Sequence, residues 1–179
     1  MSTFDLRQQL IEIHRTNVGK VEASKNRADW IAPLWTATNA NDLYTNLKSA
    51  PYYGRPPYCA AGMAWGLREW LRLPDVLAAL KMTEAQASKW RCKSAGAFAW
   101  GEWAREKGLQ FIHTSGVFHT GDIVIYKHSH IEIYVDDTPS GGFTAIGYNT
   151  NASGSRDGEG CFEKPRSRTG VKEVFRILP

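Results

Sequence analysis

Three residues of this chain could together break an amide bond. Cys59 stands in Pro-Pro-Tyr-Cys-Ala-Ala-Gly (56–62), where a proline-rich stretch gives way to apolar residues at helical spacing. A cysteine there sits at or near a helix N-terminus, where backbone N–H groups lack partners and carry partial positive charge. Both favour the thiolate, the nucleophilic form of the residue. His130 opens the second of two strand-like runs in Gly-Asp-Ile-Val-Ile-Tyr-Lys-His-Ser-His-Ile-Glu-Ile-Tyr-Val (121–135), and Asn149 follows in Ile-Gly-Tyr-Asn-Thr-Asn. A thiol, an imidazole to take its proton and an amide to orient the imidazole are the parts of Cys-His-Asn nucleophilic catalysis.

Each residue also has a plainer reading. Free cysteines are among the most buried residues, so Cys59 alone would more often be core. Cys92 lies among basic neighbours in Lys-Trp-Arg-Cys-Lys and Cys161 just before a strand, and both read as structural or incidental. His128 is two residues before His130 and would share its strand face; position next to Ile131–Val135 favours His130, with His128 in the turn. Asn149 could simply end a strand, and Asp122 reads as a structural turn residue. His113 and His119 add imidazoles without metal-ligand spacing, and no Cys-x-x-Cys occurs, so neither metal nor cofactor is expected.

The elements that must position these groups follow from patterning. A helix is predicted over Phe4–Val18 with Leu6, Leu10, Ile11 and Ile13 as its apolar stripe, and a second short one within Asn26–Ala37. Asn39–Pro57 reads as loop. The Cys59 helix runs to about Leu71, with Ala60, Met63, Ala64, Leu67 and Trp70 on one face. Asp75–Leu80 and Ala95–Lys107 are further helices, the latter capped by Gly108. Strands follow at Ile123–Tyr126, Ile131–Val135, Phe143–Tyr148 and Val171–Ile177, with a hairpin turn at Asp136–Gly142 and a glycine- and serine-bearing loop over Asn149–Gly160. Helices first and antiparallel strands second make an α+β fold of one domain over 1–179, helical to about 110 and β from about 117.

Composition narrows the function classes. Of 179 residues, 42% are hydrophobic and 22% charged, which suits a globular protein rather than a disordered one. No apolar run reaches the ~18 residues of a membrane span. The N-terminus lacks the basic stretch and apolar core of a secretory signal peptide. The net charge of +4 is scattered, with no basic run that would point to nucleic acid. Trp65, Trp70, Trp90, Trp100 and Trp103 read as core and groove lining. Trp30, Trp35, Tyr52, Tyr53 and Tyr58 are better placed for a sugar- or peptide-binding wall near the nucleophile.

Four local patterns in this order resemble the papain-like peptidoglycan hydrolases, the CHAP amidase/endopeptidase group and its NlpC/P60 relatives. Tyr58-Cys59-Ala60-Ala61 before an apolar helix with Trp65 is similar to the nucleophile segment. Gly121-Asp122-Ile123-Val124 with Ser129-His130-Ile131-Glu132-Ile133-Tyr134-Val135 is similar to the pair "GD-hydrophobic … GHVGIYV". Ile146-Gly147-Tyr148-Asn149-Thr150 is similar to the "EGN" strand end, and Phe162–Ser167 with Val174–Ile177 to the closing strand pair. The chain departs from the pattern at Ser129, where a glycine is usual, and at Gly147, where many members carry glutamate. It also lacks the acidic calcium loop that some members carry before the cysteine.

The resemblance implies a papain-like fold, N-terminal helices packed on a C-terminal antiparallel sheet. It implies Cys59 as nucleophile, His130 as base and Asn149 as orienting group, with Tyr58 helping backbone N–H groups at the oxyanion. It implies a cell-wall hydrolase cutting an amide of peptidoglycan, as amidase or endopeptidase, without cofactor: an endolysin, an injected antibacterial effector or a tail lysin. Such a protein is made in the cytoplasm and reaches the periplasm or wall by non-classical export, injection or lysis, with an immunity or delivery protein as a further partner. Two other classes stay open: a non-catalytic wall-binding protein on a decayed hydrolase scaffold, for which Gly147 speaks, and a thiol hydrolase or acyltransferase of small amides.

Overall fold

A computed structural model describes residues 2–23, 26–40, 57–151 and 158–178. The predicted loop over 39–57, with Tyr52 and Tyr53, falls almost wholly outside these residues, as does most of the loop over 149–160. Among the described residues six helices come first: α1 (Thr3–Arg15), α2 (Ala32–Trp35), α3 (Cys59–Trp70), α4 (Pro74–Leu80), α5 (Glu84–Trp90) and α6 (Ala97–Glu106). Six strands follow: β1 (Gln110–Ile112), β2 (Ile123–Tyr126), β3 (His130–Asp137), β4 (Phe143–Thr150), β5 (Gly160–Arg166) and β6 (Val171–Arg176). They form one antiparallel sheet in the order β1-β6-β2-β3-β4-β5. The fold is α+β. Among the described residues, no helix is long and apolar enough to cross a membrane.

Helix α3 is the pivot. Its apolar residues do not stop at one stripe: Cys59, Ala60, Ala61, Gly62, Met63, Ala64, Gly66, Leu67 and Trp70 are all buried. A helix apolar most of the way round has to lie inside the protein, and α3 packs against α1, α2, β3 and β4 at once. Two glycines permit that crowding. A Cβ at Gly62 would run into the Tyr148 ring of β4, and one at Gly66 into the His14 ring of α1. The Trp70 indole N–H donates to the Leu6 carbonyl at 2.8 Å, which locks α1 to the far end of α3.

The sheet buries both faces. Ile123, Ile125, Ile131, Ile133, Ile146, Tyr148 and Phe175 join the core under the helices. The alternate positions Val124, Tyr126, Tyr134, Phe143, Ala145, Val171 and Val174 close a second, smaller core with Phe118. The β2–β3 connection is Lys127-His128-Ser129, and Ser129 takes a left-handed backbone at φ 62°. This is the position at which the resembling hydrolases carry glycine, the residue that adopts that conformation at least cost.

Several expectations change. The second helix shrinks to Ala32–Trp35, while Glu84–Trp90 is helical and Gln110–Ile112 forms a strand, neither of them anticipated. Val171–Arg176 does not pair with 162–167: β5 lies on β4, and β6 between β1 and β2. Pro165 fits because β5 is an edge strand, where a missing N–H breaks no ladder.

Candidate functional site

Cys59 is the first residue of α3, behind the N-cap Tyr58, and no side chain caps this helix end. The opening N–H groups therefore have no intrahelical acceptor and point at whatever lies before the helix. Burial leaves Cys59 4% exposed.

His130 is the first residue of β3 and is 2% exposed. Strand alternation puts Glu132 on the same face, and the two side chains meet: His130 Nε2 lies 3.1 Å from Glu132 Oε1. Glu132 is fully buried. An ionised carboxylate only accepts, so Nε2 carries the hydrogen and Nδ1 is the nitrogen left to take a proton. Nδ1 has no hydrogen-bond partner among the described residues. Cys59 is the other side chain that acts on the ring. In a resting thiol enzyme the sulfur–imidazole contact is often looser than a well-formed hydrogen bond.

The carboxylate of Glu132 is saturated. Arg166 on β5 donates from Nε to Oε2 at 2.8 Å and from Nη2 to Oε1 at 2.7 Å. The Tyr126 hydroxyl on β2 donates to Oε2 at 2.8 Å. Arg166 Nη2 also reaches Thr150 Oγ1 on β4 at 3.2 Å. Tyr126 from β2 and Arg166 from β5 thus meet on the β3 carboxylate, and β4 joins through Arg166.

The charges follow from this arrangement. Burial would lower the pKa of His130, but Cys59 and Glu132 outweigh it and raise it to about 9. Burial would raise that of Glu132, but His130 and Arg166 hold it down at about 2. At neutral pH the site holds a charged ring between a carboxylate and a sulfur. His128 stacks on His130 with ring centroids 5.9 Å apart, yet sits exposed in the turn as expected.

Of the three expected site residues, Cys59 and His130 come together, and Glu132 joins them at the ring. Asn149 is buried on β4 with φ 53°, and it is Glu132 that meets Nε2 of the His130 ring. Tyr58 also differs from expectation. Its hydroxyl donates its one proton to Glu22 Oε1 at 2.9 Å and is buried, so it has none to give an oxyanion. Trp35 is core at 1% exposure and cannot line a binding wall. Trp30 stays half-buried, edge-on to Tyr58 at 5.6 Å.

No family model matches this chain, and neither does any curated protein.

Asp122, expected at a turn, accepts the His119 backbone N–H at 2.8 Å and a two-pronged bond from Arg176, both prongs 2.9 Å. It serves the β-sheet, not the thiol. Among the described residues no group of three or more His, Cys, Asp or Glu is arranged to hold a metal ion. Cys92 and Cys161 are buried without an imidazole beside them; burial pushes the Cys92 thiol up to about 11 and the Cys161 thiol further.

Proposed function

We propose that this chain is a papain-like cysteine hydrolase that cleaves an amide bond of peptidoglycan. The observation that carries the reading is His130 held between the Cys59 sulfur and a buried, ionised Glu132. Cys59 Sγ attacks the amide carbonyl and forms an S–C bond, its proton residing on His130 Nδ1. The carbonyl oxygen takes the negative charge against the N–H groups of the α3 start. The C–N bond then breaks as Nδ1 hands its proton to the departing amine. Nδ1 next takes a proton from water, whose oxygen attacks the thioester; the C–S bond breaks, the acid leaves, and the proton stays on Nδ1 as at the start. Glu132 neither gains nor loses a proton; it keeps Nε2 protonated and the ring in line.

The order of motifs along the chain supports peptidoglycan as substrate, and the α+β architecture with the nucleophile on a central helix agrees with a papain-like arrangement. The reading of a decayed, non-catalytic scaffold leaned on the glycine at 147, and a carboxylate supplied by Glu132 removes that support. Incubation with purified peptidoglycan and mass analysis of the fragments tests the reading. Wild-type protein should release new amines from intact glycan strands, and Cys59→Ala none. No release at any pH would overturn it, and the fragment masses would name the bond.

A further inference from the structure

Gly147 and Glu132 face each other across β4 and β3 in register. An ideal Cβ on Gly147 would lie within 2.8 Å of the Glu132 Cγ and Cδ and closer still to Oε1. The space beside the Gly147 backbone is thus filled by the Glu132 carboxylate, and one volume cannot hold a side chain from both residues.

We infer that the carboxylate positioning His130 can be exchanged between strands: Glu132 delivers from β3 what a glutamate at position 147 would deliver from β4, and Gly147 leaves it the space. This rests on Cys59 and His130 acting as proposed, and it names Glu132 as a positioning residue that works through His130.

The groups that hold the carboxylate do not depend on which strand brings it. Arg166 comes from β5 and Tyr126 from β2, and Arg166 is also tied to Thr150 on β4, three residues beyond Gly147. Residues directly opposed in an antiparallel pair have Cβ atoms only about 5 Å apart, so a glutamate on either one reaches the same anchors. The charged and titratable groups facing His130 are Cys59 from α3, Glu132 on its own strand, Arg166 from β5, Tyr126 from β2 and His128 in the turn. Among the described residues Glu132 is the carboxylate bonded to both the ring and Arg166, so removing it takes the anion from both.

Four variants read the exchange: Glu132→Gln, Glu132→Gly, Gly147→Glu and the double variant Glu132→Gly/Gly147→Glu. The readout is the pH titration of the His130 ring by NMR, with the rate of Cys59 alkylation alongside; neither needs a substrate. The two Glu132 variants should lower the ring pKa by about one unit or more. Gly147→Glu alone should be the least stable, because two carboxylates compete for one space. The double variant should recover at least half of the lost shift, and its kcat should recover with KM unchanged. An unshifted ring in Glu132→Gln would overturn the inference. So would a double variant that titrates like Glu132→Gly or that does not fold, since the space would then not accept the carboxylate from β4. A recovered titration with intact peptidoglycan would sink the proposed substrate and leave the exchange standing. Cleavage by wild type with no recovery in the double variant would do the reverse.

Discussion

Two histidines touch the central helix, and they show what burial does and does not decide. His14 on α1 is 1% exposed and lies against Gly66; His130 is 2% exposed and lies by Cys59. Burial alone governs His14. Its Nδ1 lies 3.0 Å from the Tyr148 hydroxyl, a neutral partner, and its pKa falls to about 3. Burial opposes charge on His130 as well, but the Cys59 and Glu132 side chains reverse it and the pKa rises to about 9. The same ring, at the same depth, is neutral in one place and charged in the other. The Cys59 and Glu132 side chains make the difference, and the carboxylate stays ionised because His130 and Arg166 hold it.

Removing either ring would separate the two roles. His130→Ala should lower kcat/KM by about four orders of magnitude, since thiol and leaving amine lose their proton carrier. His14→Phe should leave kcat within a few-fold and lower the denaturation midpoint instead. A variant at His14 that kills turnover without unfolding would break the contrast.

The two rings also bound the stability of the protein in pH. His130 has a raised pKa in the folded state, so its contribution is complete below the ordinary value of 6.5 and is lost as pH rises through about 9. His14 has a lowered one, so its contribution is complete above 6.5 and is lost as pH falls toward about 3. Each amounts to a few kcal/mol, at roughly 1.4 kcal/mol per unit. Urea unfolding across pH should give greatest stability near 6.5. Glu132→Gln should flatten the alkaline limb and His14→Phe the acid limb; unchanged limbs would refute the assignment.

Gly66→Ala should cost about 1–3 kcal/mol, because the new methyl meets the His14 ring inside a packed core. The effect should shrink when His14 is replaced by a smaller residue, as a double-mutant cycle would show. Asn149→Ala should have the smallest effect, less than about tenfold in kcat, because Glu132 already holds Nε2 of His130. A loss as large as that of Glu132→Gln would restore Asn149 as the orienting group.

Much of this site could be read before the fold was known. Pro-Pro-Tyr-Cys before an apolar helix placed Cys59 at the α3 start, and the isoleucine alternation after His130 placed the ring at the start of β3. Glu132 was harder to see. An acid between isoleucines in an alternating strand reads as a solvent-facing position, but here both faces of the sheet are covered and the acid is buried. One signal was present: His130 and Glu132 are two apart, so a strand puts them on one face. Arg166 could not be paired with Glu132 from sequence, because the partner of β5 depends on sheet order, and β5 lies on β4 rather than on β6. Trp35 and Tyr58 were misread for a related reason. Large aromatics beside a nucleophile suit a binding wall, yet both fill the core around α3.

The central claim is that Cys59 reacts because His130, held by Glu132, stands beside it. Alkylation tests this directly, because Cys59 and Cys92 are equally buried at 4% exposure and differ in having an imidazole neighbour. Wild-type protein treated with limiting iodoacetamide near neutral pH should be labelled at Cys59 well before Cys92 or Cys161, and His130→Ala should abolish that preference. Labelling of Cys92 first, or a preference for Cys59 that survives loss of His130, would contradict the account.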